Sequence, residues 1–365
     1  MKKLGFGFMR LPLLDGNNQT SFDKEQIFTM VDEFLEKGFT YFDTAYMYHD
    51  GKSEGMLREA LVERYPRDAF ILADKLPSMF LEKKEDVERI WNEQLERCGV
   101  EFFDYYLLHC LGTENYEKCL KYDAFDFVRD RKKEGKIVKA GFSFHDNAQV
   151  LDKILTEHPE MDFVQLQINY LDWEDGGVQS RLCYETAVKH GKEVIVMEPV
   201  KGGTLANLPK AAEKLFKAEA PDMSSASWAI RFAASLDNVV MVLSGMSNLS
   251  QLRDNMGYMK DFVKLSEKET VLVFEVEKII RALENIPCTS CRYCMEKCPV
   301  GIPIPEYFVC HNNERNGDNS EEYRRISDKS PKPEDCIECR SCEEMCPQKI
   351  KITDQLKKIS AFYNK

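Results

Sequence analysis

From residue 288 onward the chain carries one spacing twice, as Cys288-x2-Cys291-x2-Cys294-x3-Cys298-Pro299 and as Cys336-x2-Cys339-x2-Cys342-x3-Cys346-Pro347. Few sequence features restrict a fold so tightly. Gaps this short let one turn present three thiolates to a single metal centre, and the proline after the fourth cysteine helps the chain leave it. Eight of the 13 cysteines lie in these two runs. In a cytosolic chain such usage points to metal or redox chemistry rather than to disulfides.

The two runs match the bacterial two-cluster ferredoxin pattern, in which the fourth cysteine of each run binds the other cluster. One [4Fe-4S] cluster is then expected on Cys288, Cys291, Cys294 and Cys346, and a second on Cys336, Cys339, Cys342 and Cys298. A zinc site is the alternative, but zinc prefers two isolated C-x2-C pairs. The cysteine-rich composition sets in near residues 286–287, which marks a domain boundary. The expected organisation is a barrel over residues 1–265, a connecting helix over 266–286 and a small α+β ferredoxin-like domain over 287–365. The polar stretch 312–322 between the runs reads as a solvated excursion. Cys98, Cys110, Cys119, Cys183 and Cys310 lack ligand spacing and read as small core residues, with Cys110 placed to line a site beside His109.

Before that boundary, short apolar runs alternate with amphipathic stretches. Strands are expected near residues 4–9, 39–45, 69–76, 105–110, 138–144, 163–169, 193–199 and 239–245, with helices near 24–37, 83–98, 116–133, 147–158, 178–190 and 224–235. Eight βα units in about 260 residues is the size of a (β/α)8 TIM barrel. A doubly wound sheet is the alternative, and the lack of a G-x-G-x-x-G turn after the first strand weighs against it. A further helix over 266–283 leads towards the cysteines.

In such a barrel the chemistry sits at the carboxyl ends of the strands. The second run delivers Asp43, with Tyr48 five residues on. The third ends at Lys75, the fourth at His109, the fifth at Ser143, and the sixth near Gln167 and Asn169. A lysine ending an apolar strand needs a carboxylate, and Asp43 on the neighbouring strand can supply it. A cation beside Tyr48 is expected to lower the phenol's pKa and fit it to act as a general acid, while His109 orients a carbonyl oxygen. Such a set suits carbonyl reduction.

Phe42-Asp43-Thr44-Ala45 with Tyr48, then Lys75, then Leu107-Leu108-His109, resemble the aldo-keto reductase family in order and separation, over about residues 4–255. The resemblance implies a catalytic Asp43, Tyr48, Lys75 and His109 on a (β/α)8 barrel. It further implies that Ser143 and Gln167 hold a nicotinamide carboxamide, that Gly245, Met246, Ser247, Gln251 and Asn255 grip the adenosine end, and that Phe8 and Met9 form the floor. Met197 stands where many relatives stack a tyrosine on the ring. Phe144 takes a position often polar, and His49 and Asp50 enlarge a loop that is usually tighter. Gln251 replaces an arginine that reads a 2'-phosphate in some relatives, so NADH and NADPH are both open, with Arg253 able to compensate. No motif indicates a flavin, although one is left open.

The expected function is NAD(P)H-dependent reduction of an aldehyde or ketone with Tyr48 as proton donor, accompanied by electron transfer through two clusters. The alternative is an electron-transfer protein that links a ferredoxin to a nucleotide- or flavin-binding barrel without carbonyl chemistry. Expected partners are a small carbonyl compound and a ferredoxin or other redox protein. A net charge of −12 argues against a nucleic-acid surface. With no continuous apolar segment near the start and no run long enough to span a bilayer, a cytoplasmic protein without membrane contact is expected.

Overall fold

Eight parallel strands close on one another in chain order. They are β1 (Leu4–Gly7), β2 (Tyr41–Asp43), β3 (Ile71–Pro77), β4 (Phe103–Leu111), β5 (Ile137–Phe144), β6 (Phe163–Gln167), β7 (Glu193–Met197) and β8 (Val239–Ser244). β1 pairs with both β2 and β8, which completes the barrel expected from the sequence. The computed structural model describes residues 2–16, 18–283, 285–315 and 320–363, with only the backbone of 314, 315 and 320.

The strands form because their residues are β-branched, aromatic or leucine and alternate between two apolar faces. Inward-facing Tyr41, Ala73, Tyr105, Leu107, Phe163, Ile195, Met241 and Leu243 make one packed core inside the ring. Gly141 on β5 is required there: a Cβ would come within 2.4 Å of the Phe163 carbonyl oxygen on β6. The opposite face packs under helices such as Lys24–Glu36, which buries Ile27, Met30, Val31 and Phe34 and is capped by Asp23 accepting from the Gln26 amide.

Two expected elements differ in form. The first strand stops at Gly7, and Phe8–Arg10 turn into a 3-10 helix. The single helix expected over 116–133 is two, Thr113–Lys121 and Ala124–Lys133, because Asp123 between them takes a left-handed φ of 56°.

The chain divides into two compact units, one of Met1–Asp175, Gln179–Pro199 and Ala226–Thr270, the other of Gly176–Val178, Val200–Ser225 and Val271–Lys365. After β8 the described residues hold helices and no strand. Within the second unit Ile302, Ile304, Tyr307, Phe308, Ile352, Leu356 and Ile359 pack with Cys294, Cys310, Cys342 and Cys346 as one core. The stretch 312–322 ends one helix (Ile304–Arg315) and begins the next (Ser320–Ser327), while residues 316–319 lie outside the described residues.

Candidate active site and cysteine centre

The strand period of two fixes what enters the barrel mouth. Asp43, Lys75, His109, Gln165 and Met197 each lie two residues beyond an inward core residue, so they share the inner face one level higher. Parallel register sets Asp43 beside Ala73, Lys75 beside Leu107, and Gln167 beside Met197.

Lys75 is fully buried, and its Nζ donates to Asp43 Oδ1 and to the Thr44 carbonyl oxygen, each at 2.6 Å. The Tyr48 hydroxyl lies 3.4 Å from the same Nζ. His109 meets the Tyr48 ring edge-on, with centroids 6.1 Å apart. These four side chains are therefore brought together at the ends of β2, β3 and β4. Burial alone would lower the Lys75 pKa, but Asp43 and Tyr48 beside it hold it above its ordinary value. Burial pushes the Asp43 carboxyl up, and Lys75 opposes that shift at contact distance. The pair is an ion pair closed off from water.

For the phenol, the sequence-based expectation is reversed. Burial pushes Tyr48 up to about 12, and the nearby Lys75 offsets this only in part. The reason is distance: the ammonium is committed to Asp43 and Thr44 and stands off from the hydroxyl. His109 is held well below its ordinary pKa by burial, then by Lys75 and His145, so its imidazole is neutral. Its Nδ1 and the Asp43 Oδ2 are buried with no partner among the described residues.

The segment carrying Tyr48 is a short helix, Tyr48–Gly51, in which His49 and Asp50 both have a φ of 52°. His49 is pinned there, with Nε2 accepting from the Leu11 amide at 3.2 Å and Nδ1 against the Gln19 carbonyl at 2.8 Å. Tyr46 turns elsewhere: its hydroxyl donates to Glu93 at 2.8 Å and its ring lies under Arg97. Cys110, with φ of 59°, is half-buried and close enough to Tyr48 to contribute to raising its pKa.

The residues assigned to a cofactor are more dispersed in their contacts. Ser143 Oγ accepts from the Cys110 amide at 2.8 Å. The Gln167 amide donates to Asp172 at 2.7 Å, as does Asn169. Gln165, which the sequence reading passed over, is buried on the same inner face with its Oε1 unpartnered among the described residues and its Nε2 3.5 Å from the Met197 sulfur. An i±2 repeat of glutamine on one strand was the signal that could have found it. Phe8 is buried among Phe6 and Phe42, Met9 is half-buried, and Met246 is buried. Asn255 is buried and donates to the Ser244 hydroxyl at 2.8 Å, whereas Gln251 is exposed and accepts from the Ser247 amide at 2.7 Å. Gly245 faces the Arg10 side chain, which a Cβ would approach to 3.2 Å. The Arg253 guanidinium is taken by Glu33 through two bonds, of 2.9 and 2.6 Å.

In the second unit burial holds the Cys294 thiol up, helped by the thiols of Cys291, Cys288, Cys346 and Cys342, and Cys298 and Cys336 add to the effect of burial at Cys342, while Cys339 is exposed. Cysteines of the two runs thus lie close to one another. Eight thiols in two C-x2-C-x2-C-x3-C runs of one unit are the donor set that two [4Fe-4S] clusters take. Cys98, Cys119 and Cys183 are buried in the first unit, whereas Cys310 is buried in the same core as Cys294, Cys342 and Cys346.

A closed parallel barrel with a buried lysine, carboxylate, phenol and imidazole at its mouth defines a barrel oxidoreductase. The chain belongs to the aldo/keto reductase family, which residues 3–278 match, and residues 287–351 match the 4Fe-4S dicluster domain. It is similar to a probable aldo-keto reductase 1 of Glycine max, 25% identical over 315 residues, 76% of this chain and 86% of that protein. It is also similar to the L-galactose dehydrogenase of Arabidopsis thaliana, 25% identical over 285 residues, 71% and 86% of the two chains. Among solved structures, the holo form of an aldo-keto reductase from Bacillus halodurans matches with a TM-score of 0.60 and 24% identity, over 75% of this chain and 91% of that one. An aldo-keto reductase from Klebsiella pneumoniae in complex with NADPH matches with a TM-score of 0.60 and 19% identity, over 75% and 90%. No helix among the described residues is long and apolar enough to cross a membrane.

Proposed function

We propose that this chain is an NAD(P)H-dependent carbonyl reductase whose C-terminal unit carries two [4Fe-4S] clusters that exchange single electrons with a ferredoxin-like partner in the cytoplasm. One observation carries the reading: Lys75 Nζ lies 2.6 Å from Asp43 Oδ1 and 3.4 Å from the Tyr48 hydroxyl, on adjacent strand ends. A bound reduced nicotinamide would supply hydride to the carbonyl carbon. Tyr48, with a pKa raised to about 12, is protonated at neutral pH and has a proton to give. An alkoxide is a far stronger base than a phenolate, so transfer from even this phenol runs downhill. The phenolate left behind lies beside the Lys75 ammonium, which Asp43 keeps in place. His109, neutral, offers a ring N–H to the carbonyl oxygen and so helps set its direction.

The residues fit a nicotinamide. Gln165 carries a buried amide oxygen with no partner among the described residues, the kind of acceptor that a carboxamide N–H needs. We assign Ser143 and Gln167 supporting roles, since each already has a protein partner. Arg253 is engaged by Glu33, so it gives no preference for a 2'-phosphate. The eight cysteines supply the thiolate donors for the clusters. A hydride carries two electrons and a cluster passes one, so the cluster unit serves an outside one-electron donor or acceptor.

A Tyr48→Phe variant tests the reductase chemistry. Carbonyl reduction is expected to fall by two to four orders of magnitude while NADPH binding, followed by its fluorescence, is unchanged. Retained turnover would sink this mechanism and leave a barrel that relays electrons only.

A further inference from the structure

Val200–Ser225 lie within the stretch that matches the aldo/keto reductase family, yet they group with the cysteine unit. At their start, Lys201, Gly202 and Gly203 have φ values of 46°, 63° and 100°. Lysine disfavours that region, so contacts must hold it there. Gly202 supplies one. Its backbone lies so close to Thr289 that a Cβ would come 2.5 Å from the Thr289 Cα and carbonyl oxygen. Lys201 supplies the other, because its buried Nζ donates to Gln348 Oε1 at 3.2 Å.

Both contacts fall beside ligands of the same expected cluster. Thr289 follows Cys288, and Gln348 is two residues after Cys346. Among the described residues Lys201 is the only buried lysine or arginine of this unit. Lys349 also bears on Cys346, but it is exposed and water screens it. A reduced cluster is one charge more negative than an oxidised one, and a cation held in a poorly solvated place stabilises the reduced form.

We propose that Lys201 tunes the cluster on Cys288, Cys291, Cys294 and Cys346, raising its reduction potential through a buried ammonium that Gln348 holds beside the Cys346 segment while Gly202 packs the same turn against the Cys288 segment. The inference rests on the cluster assignment above. It makes the two clusters unequal by design, since the Cys336, Cys339, Cys342 and Cys298 set has no buried lysine or arginine among the described residues to match.

The test is a redox titration, followed by electron paramagnetic resonance, of anaerobically purified full-length protein. Lys201→Met is expected to shift the one-electron reduction equilibrium of one cluster roughly tenfold towards the oxidised form, about 59 mV, and to leave the other unmoved. Lys201→Arg keeps the charge and is expected to restore most of the shift. Gln348→Leu, which removes this one hydrogen-bond partner and keeps the ammonium, is expected to give a smaller shift of the same cluster. Unmoved potentials, an equal shift of both clusters, or a higher KM for NADPH with potentials unchanged would overturn the assignment, the last by placing Lys201 on the cofactor instead. Iron and sulfide analysis of the wild type judges the underlying reading separately: about eight of each per chain with unmoved potentials rejects only the role of Lys201, whereas zinc in their place rejects the clusters themselves.

Discussion

The barrel mouth and the cysteine unit bury reactive groups in opposite ways. At the mouth, Lys75 is enclosed, yet its ammonium meets Asp43 and the Thr44 carbonyl at 2.6 Å each. In the cysteine unit, Cys294, Cys342 and Cys346 are buried among isoleucines and aromatics that belong to a core. Burial pushes the Cys342 thiol up to about 11 and the Cys288 thiol likewise. The protein alone organises the first site, whereas at Cys288, Cys294, Cys342 and Cys346 burial disfavours the thiolate that a bound metal would stabilise.

The sharpest way to break that contrast is to remove the iron. Chelation under reducing conditions is expected to abolish amide-exchange protection over Ile304–Arg315 and Ile352–Tyr363, because metal binding is folding energy for a unit whose core includes its ligands. Protection of β1 to β8 is expected to persist. Retained protection in the two C-terminal helices would show that apolar packing suffices there and would erase the difference.

The contrast was unevenly legible in the sequence. The cysteine spacing is local, so two expected ligand sets could be written down from it. The eight strands, of three to nine residues, were legible because short apolar runs alternate with helical periods. Lys75 and Asp43 could be paired because both end adjacent strands. What stayed hidden depends on competition in space. Gln165 and Gln167 are equivalent by period, and only the presence of Asp172 within 2.7 Å separates their duties. The Tyr48 pKa turns on whether burial or a cation dominates, which a spacing cannot express. The break at Asp123 rests on one left-handed residue in an otherwise helical pattern.

A smaller effect sharpens the comparison from the barrel side. Lys75→Met leaves the Asp43 carboxyl buried without its cation, and loss of one partner of such a pair costs about 3–5 kcal/mol. The thermal midpoint of the barrel transition is therefore expected to fall by several degrees. Adding Asp43→Asn removes the stranded charge and is expected to recover part of the loss. A double variant no more stable than the single one would mean that the pair does not carry the energy assigned to it.

The smallest effect concerns protons. His109 is buried, with its folded pKa well below the ordinary 6.5, first through burial and then through Lys75 and His145. Above pH 6.5 neither the folded nor the unfolded chain protonates it, and it contributes no pH dependence. Below that value the unfolded chain takes up a proton that the folded chain refuses, so the unfolded state binds more protons and stability falls as pH falls. The slope from this one group is about 1.4 kcal/mol per pH unit at its steepest. His49 is shifted in the same direction by burial, so the wild-type profile alone cannot assign the slope. His109→Gln removes one contributor while His49 remains. Urea unfolding at pH 7.5 and pH 5.5 is expected to show a shallower acid-side loss in the variant than in the wild type. Parallel losses would mean that His109 titrates freely in the folded chain, and its neutral imidazole could then no longer be the N–H donor assigned to it at the mouth.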